Sequence, residues 1–287
     1  MTWAIFAILG ALFDTTHYAL VKRLLKGVNQ YILGSGAFLS SFAVLFLVAL
    51  VRGFPEIGIG FYYSVLASVM LNLMAAILYY RALEITDLSL SIPMVSFTPI
   101  FLFFTSFILL RELPTLLGAS GMILIVIGSY ILNSNRDHKH LLDPFREIFR
   151  NRGTFYMLIV AFLFSLSSNF DKLVVKNSDP IFGSSVVYLL IGLSFLIISS
   201  VKARIVKAIY KRNFHKFLVV GIAHALTGIA TNIAFTMQIV PYVISLKRLS
   251  ILFSVLLGTL VFKERSVLGR IAGASVMLAG VIFIILS

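Results

Sequence analysis

The sequence predicts an all-α integral membrane protein of ten transmembrane helices, arranged as two inverted five-helix repeats. Three observations carry this reading. Apolar residues make up 60% of the 287 and charged residues only 12%, about half the charged share of ordinary soluble domains. The apolar residues fall in continuous runs close to the ~20 residues that a helix needs to cross a bilayer. The two halves of the chain also repeat each other's landmarks at a nearly constant offset.

A chain this apolar uses lipid as part of its solvent, which leaves helices or a closed barrel. Barrel strands alternate apolar and polar residues over roughly ten positions, and these runs do not alternate. They cover residues 2–21, 31–51, 58–81, 88–110, 114–133, 154–175, 180–201, 217–238, 240–262 and 266–286. The first is a spanning helix rather than a signal peptide, because no basic segment opens it and Asp14 and His17 interrupt it. The runs divide the chain into a first repeat at 1–133, a basic linker at 134–153 and a second repeat at 154–287. In the linker, Asp143-Pro144 reads as an N-cap with proline in the first turn. Phe145, Ile148 and Phe149 then share one face, as in a helix lying on the membrane surface. Residues 202–216 have the same basic, amphipathic character. Each segment is either a surface helix or a solvated tether.

The net charge of +13 does not call for nucleic acid, because the basic residues sit in short loops between apolar runs. With ten spans, the side holding both termini carries four Lys and Arg: Arg52, Arg111, Lys172 and Lys176. The other side carries eighteen, from Lys22, Arg23 and Lys26 through Lys263, Arg265 and Arg270. Basic short loops stay inside, so both termini are expected outside a plasma or bacterial inner membrane. Cysteine is absent, which excludes disulfides and cysteine-based metal or redox sites. No His, Asp and Glu cluster has metal-ligand spacing, and no Gly-rich loop with Lys-Ser/Thr marks nucleotide hydrolysis. No cofactor or metal is expected, and no enzymatic activity.

A shift of 152 places Arg111-Glu112 on Lys263-Glu264, Gly121 on Gly273 and Gly128 on Gly280. Near the start of each half a shift of 150 places Lys22 on Lys172 and Lys26 on Lys176. Five spans per half is an odd number, so the second copy enters the membrane upside down. Inverted repeats of this kind occur in secondary transporters, with the substrate site at the repeat interface near the midplane. The spaced glycines of the last helix in each half are suited either to a homodimer contact or to packing within the chain.

Arg111-Glu112-Leu113…Gly118…Gly121…Gly128 and Lys263-Glu264-Arg265…Gly269…Gly273…Gly280 resemble the tandem repeats of EamA-type members of the drug/metabolite transporter superfamily. The resemblance spans essentially the whole chain. It implies ten helices and alternating access around a central cavity. Pro99 in the first half is matched by Ile251 in the second, so the two corresponding helices are expected to bend differently.

Ionisable residues inside a span cost about 2.5–3.5 kcal/mol each on insertion scales. Lys247 and Arg248 stand out, because they lie seven residues into the run 240–262, roughly 10 Å deep at the helical rise. Adjacent cations at that depth need a counter-charge, a water-filled cavity or an anionic ligand. Asp171 or Asp14 would supply the counter-charge; otherwise the pair grips an oxyanion, Arg248 as a planar fork and Lys247 as a point charge. The resemblance favours the second reading, since the related sugar-phosphate translocators of plastids bind substrate phosphate with a Lys-Arg pair in the corresponding ninth helix. Lys172 is either a third cavity cation or an interfacial partner of Asp171. Tyr79, Tyr80, Asn72, Asn232 and Tyr242 either line the cavity or pack. Asp14, His17 and His224 either relay protons or make interhelical hydrogen bonds. Glu112 and Glu264 are expected to be structural, capping the helices that begin at Pro114 or Ser266 or pairing with Arg111, Lys263 or Arg265.

The residues therefore point to a secondary transporter of a small organic anion in the lipid bilayer. The alternatives are an exporter of amino acids or neutral metabolites, should the Lys-Arg pair be internally neutralised, and a membrane-embedded enzyme acting on lipid-linked phosphates. The enzyme would need an acid, base or nucleophile beside the pair, and no loop offers a convincing set.

Overall fold

The computed structural model describes residues 1–86, 94–133, 151–202, 207–262 and 267–287. The surface helix expected at 143–150 and the acid Glu264 lie outside them. Every regular element among the described residues is a helix. The first half holds α1 (Thr2–Leu25), α2 (Gln30–Arg52), α3 (Phe61–Ile85), α4 (Thr98–Leu110) and α5 (Leu116–Asn133). The second holds α6 (Arg152–Lys176), α7 (Phe182–Lys202), α8 (Lys207–Met237), α9 (Val240–Lys247), α10 (Leu249–Phe262) and α11 (Val267–Ile285). The helices answer to the ten apolar runs, α9 and α10 sharing one. By length and composition, α1, α2, α3, α6, α7 and most of α8 can each cross a membrane.

Local chemistry sets the ends. The Asn29 side chain accepts from the Tyr31 amide (2.9 Å) at the start of α2, and Asn151 does the same for Gly153 (2.9 Å) at the start of α6. Asp179 accepts from the amides of Ile181 and Phe182 at 2.6 and 2.7 Å, opening α7. Such caps satisfy amides that have no partner within the helix. Helix α4 ends where Arg111 turns left-handed (φ 57°), and α2 ends at Gly53 (φ 89°). Residues 207–216 are not a separate surface segment. They are the opening turns of α8, tied to α2 by a 2.6 Å hydrogen bond between Ser35 and Tyr210 and by the Phe217 ring lying over Gly36.

The halves pack as a two-repeat unit. The first helix of each half packs on the third of the other, α1 on α8 and α6 on α3. The second pairs with the second, α2 with α7, and the last with the last, α5 with α11. The glycine seam lies inside this final pair. A Cβ on Gly121 would lie 2.6 Å from the Gly280 carbonyl oxygen, and one on Gly280 equally close to that of Gly121. Gly128 and Gly273 stand in the same relation, at 2.7 and 2.8 Å. The seam is thus taken up by packing within the chain, and a homodimer would need another surface.

The fourth helices of the two halves are both interrupted, at matched places. In the first half Met94 and Val95 are helical, Ser96 and Phe97 turn, and α4 begins at Thr98. Pro99 has no amide hydrogen to give the Val95 carbonyl, and the Thr98 hydroxyl donates to it instead (2.6 Å). In the second half the run 240–262 breaks at Arg248, whose amide is shared between the carbonyls of Ile244 and Ser245, both at 3.1 Å. Proline is thus not required for an interruption, because a tight turn at Arg248 breaks the second helix as well.

Candidate functional site

The interruptions meet at the centre of the molecule. Arg248 Nη2 donates to Thr98 Oγ1 at 2.7 Å, so the cation of one broken helix is held by the first residue of the other. Beside this contact lies a cavity of about 160 Å³, walled by α1–α3 and α6–α9. Of the residues singled out from sequence, Lys247, Arg248, Tyr79, Asn232, Asp14, His17, His224, Asn72 and Tyr80 all line it.

Four charged side chains line it. Arg248 is 5% exposed and its Nε has no partner, while Lys247 is half-buried and reaches the cavity. Asp14 is buried with Oδ2 unpartnered. The Tyr18 hydroxyl stands between Asp14 and Arg248, close enough to interact with each. Across the cavity Asp171 accepts hydrogen bonds from Ser68 and from Asn72, the latter at 3.4 Å. Neither carboxylate lies within 4.0 Å of Lys247 or Arg248; among the described residues the one ion pair that close joins Lys172 and Glu112.

Aromatic rings line the cavity as well. His224 stacks on Tyr188 (centroids 4.5 Å apart, planes at 17°) and meets Phe38 and His17 edge-on at 4.9 and 4.5 Å. Its Nδ1 lies 3.3 Å from Ser41 Oγ. Tyr18 packs on Tyr79 at 5.6 Å, and His17 Nδ1 is buried without a partner. Asn232 donates to Ser184 at 2.5 Å on a third side. The whole is a compartment lined by both charged side chains and flat rings. Unpartnered polar atoms of Asp14, His17, Thr231 and Arg248 belong to residues that line it.

Two of the expected residues are placed elsewhere. Lys172 does not line the cavity, because one helical step turns it about 100° from Asp171 around α6. There its Nζ lies 2.7 Å from Glu112 Oε1 and donates to the Gln238 carbonyl at 2.6 Å. Asp171 is not its partner. Glu112 in turn neither caps α5 nor pairs with Arg111; its Oε2 accepts from the Val240 amide (2.8 Å) and caps α9. Tyr242 is buried against Trp3 and Gly118, its hydroxyl accepting from the Thr115 amide at 2.9 Å. Residues passed over in the sequence include Tyr18, Phe38, Tyr188 and the anchoring Thr98. From sequence Asp171 reads only as a neutralising partner, although a carboxylate inside a span is itself a signal of function.

Comparison with known proteins extends this picture. The chain matches the model of the EamA-like transporter family over residues 1–134 and 151–286. No curated protein sequence matches it. Solved structures share the fold: one protein crystal structure superposes with a TM-score of 0.79 at 13% identity, over 99% of this chain and 96% of the other.

Proposed function

The chain belongs to the EamA-like transporter family, and from that premise we propose that it carries a small organic anion through the central cavity by alternating access. Ten crossings in two halves of opposite orientation, with both termini outside a plasma or inner membrane, complete the reading. It is supported by the apolar helices and by the four-to-eighteen split of Lys and Arg. The observation that carries the substrate class is the pair Lys247 and Arg248, set at a helix break and facing the cavity with no carboxylate of the described residues within 4.0 Å. Interrupted helices near the midplane are where such transporters hold charged substrate groups. The aromatic wall suits the apolar or planar remainder of the molecule.

A second reading has one observation of its own. Asp14 and Asp171 share the cavity with the two cations, so its formal charge sums to zero, and a zwitterion or neutral metabolite would also be matched. Thermal stability of the purified protein in detergent separates the two. Carboxylates, phosphorylated metabolites, amino acids and cations are compared on the wild type, Lys247→Ala and Arg248→Ala. A ligand at 100 times its Kd stabilises by about 2.7 kcal/mol. Stabilisation by anions in the wild type and in neither variant is the expected result. If anions have no effect and the variants merely lose stability, the cations are structural and the anionic substrate is refuted.

A further inference from the structure

The four charged side chains of the cavity are not equivalent. Asp14 and Arg248 both lie close to the Tyr18 hydroxyl, and Arg248 is a guanidinium that keeps its proton and is itself fixed by Thr98. Asp14 therefore stays near a cation that does not titrate. Asp171 has none of that kind. Its hydrogen-bond donors, Ser68 and Asn72, are neutral, and no cation of the described residues lies within 4.0 Å. Its chain neighbour Lys172 is committed to Glu112, away from the cavity. Lys247 lines the same cavity as Asp171 and is also one of the two groups offered to an entering oxyanion.

Asp171 and the substrate thus draw on the same positive charge. Resting on the anion reading above, we propose that Asp171 is a proton-binding site coupled to the anion. When an oxyanion engages Lys247, the carboxylate of Asp171 takes a proton from solution, and one anion and one proton occupy the cavity and cross together. The charges balance. The empty cavity carries two carboxylates and two cations, a monovalent anion makes the sum minus one, and the proton returns it to zero. Moving an uncompensated charge through a low-dielectric interior is what this exchange avoids. Other titratable groups face the same space: His17 and Tyr18 from α1, Tyr79 and Tyr80 from α3, Tyr188 from α7 and His224 from α8. Helix α4, although packed on α6, brings none to it.

The test is calorimetry of the purified protein titrated with benzoate, pyruvate or inorganic phosphate, in buffers of different ionisation enthalpy. The buffer dependence counts protons taken up per anion bound. The expected count is about one for the wild type, with the Kd rising about tenfold per pH unit where Asp171 gives up its proton. In Asp171→Asn the anion still binds, the count falls to about zero and the pH dependence is lost. Should that variant fail to fold, Ser68→Ala keeps the carboxylate and removes one donor; it shifts the pH at which uptake occurs, which a purely structural Asp171 would not do. A wild-type count of zero with the anion bound overturns proton coupling and leaves the anion site standing. Uptake that survives Asp171→Asn, or is lost in Asp14→Asn, His17→Gln or His224→Gln instead, overturns the assignment to Asp171. If none of the three anions binds, the anion reading fails and the coupling with it.

Discussion

The ion pair between Lys172 and Glu112 ties together three parts of the chain that are far apart in sequence: the turn between α4 and α5, helix α6, and the junction of α8 with α9. The two side chains are 7% and 11% exposed and 2.7 Å apart. Each also bonds backbone, Lys172 the Gln238 carbonyl and Glu112 the Val240 amide. Removing one partner leaves the other charge buried, at a cost of about 3–5 kcal/mol. Lys172→Met strands the carboxylate, and Glu112→Gln strands the ammonium while keeping an acceptor for Val240. Making both changes strands no charge and gives up mainly the bond to Gln238, at a cost of about 1–2 kcal/mol. The double variant is therefore expected to be more stable than either single one. Denaturant unfolding in detergent measures this, and the single tryptophan is a convenient reporter: Trp3 stacks on Tyr242 of α9, the helix that Glu112 caps. The reasoning is refuted if each single change costs less than about 1 kcal/mol, or if the two costs add to within about 0.5 kcal/mol.

Two further outcomes are expected. Gly121→Ala or Gly280→Ala places a Cβ 2.6 Å from a carbonyl oxygen where 3.4 Å is ordinary contact; α5 and α11 must part by several tenths of an ångström, and unfolding measurements should show a loss of about 1–3 kcal/mol. Because the chain has no cysteine, single cysteines report topology without background: Ser287→Cys in intact cells should react with a membrane-impermeant thiol reagent and Lys26→Cys should not, and the reverse pattern would overturn the orientation.

Much of the fold was legible because lipid imposes a simple rule. A spanning segment must satisfy its own backbone, so continuous apolar runs translate directly into helices, and α1, α2, α6 and α7 end within a few residues of the expected limits. What the runs concealed was interruption. Residues 240–262 are apolar across the break at Arg248, and hydropathy does not register a backbone turn. Helix α8 was concealed in the opposite sense, since its basic opening turns resemble a loop by composition and are helical because Tyr210 and Phe217 pack on α2. In the site, the cost of burying charge made Lys247, Arg248 and Asp14 stand out. It could not tell the faces of α6 apart: Asp171 and Lys172 are adjacent, equally costly and turned about 100° from each other, and only the position of Glu112 decides between them. The aromatic wall left no trace at all, because Phe38, Tyr18 and Tyr188 are ordinary residues of apolar runs until three helices bring them together.

The matched interruptions explain why the cations can be where they are. An unbroken helix carrying Lys247 and Arg248 would turn them about 100° apart, with no provision for the second. The turn at Arg248 instead brings its guanidinium to Thr98, at the equivalent interruption of the other half. One hydrogen bond thus fixes Arg248 and leaves its Nε unpartnered and Lys247 facing the cavity. The repeat supplies this geometry without repeating its chemistry: the residue that meets Arg248 is a threonine, and the one that a shift of 152 places on Arg248 is Ser96, small and neutral. A second cation there would repel Arg248. The divergence of the halves at these positions turns a symmetric scaffold into a site to which the second half brings Lys247 and Arg248, and so gives it a direction in which to hold a substrate.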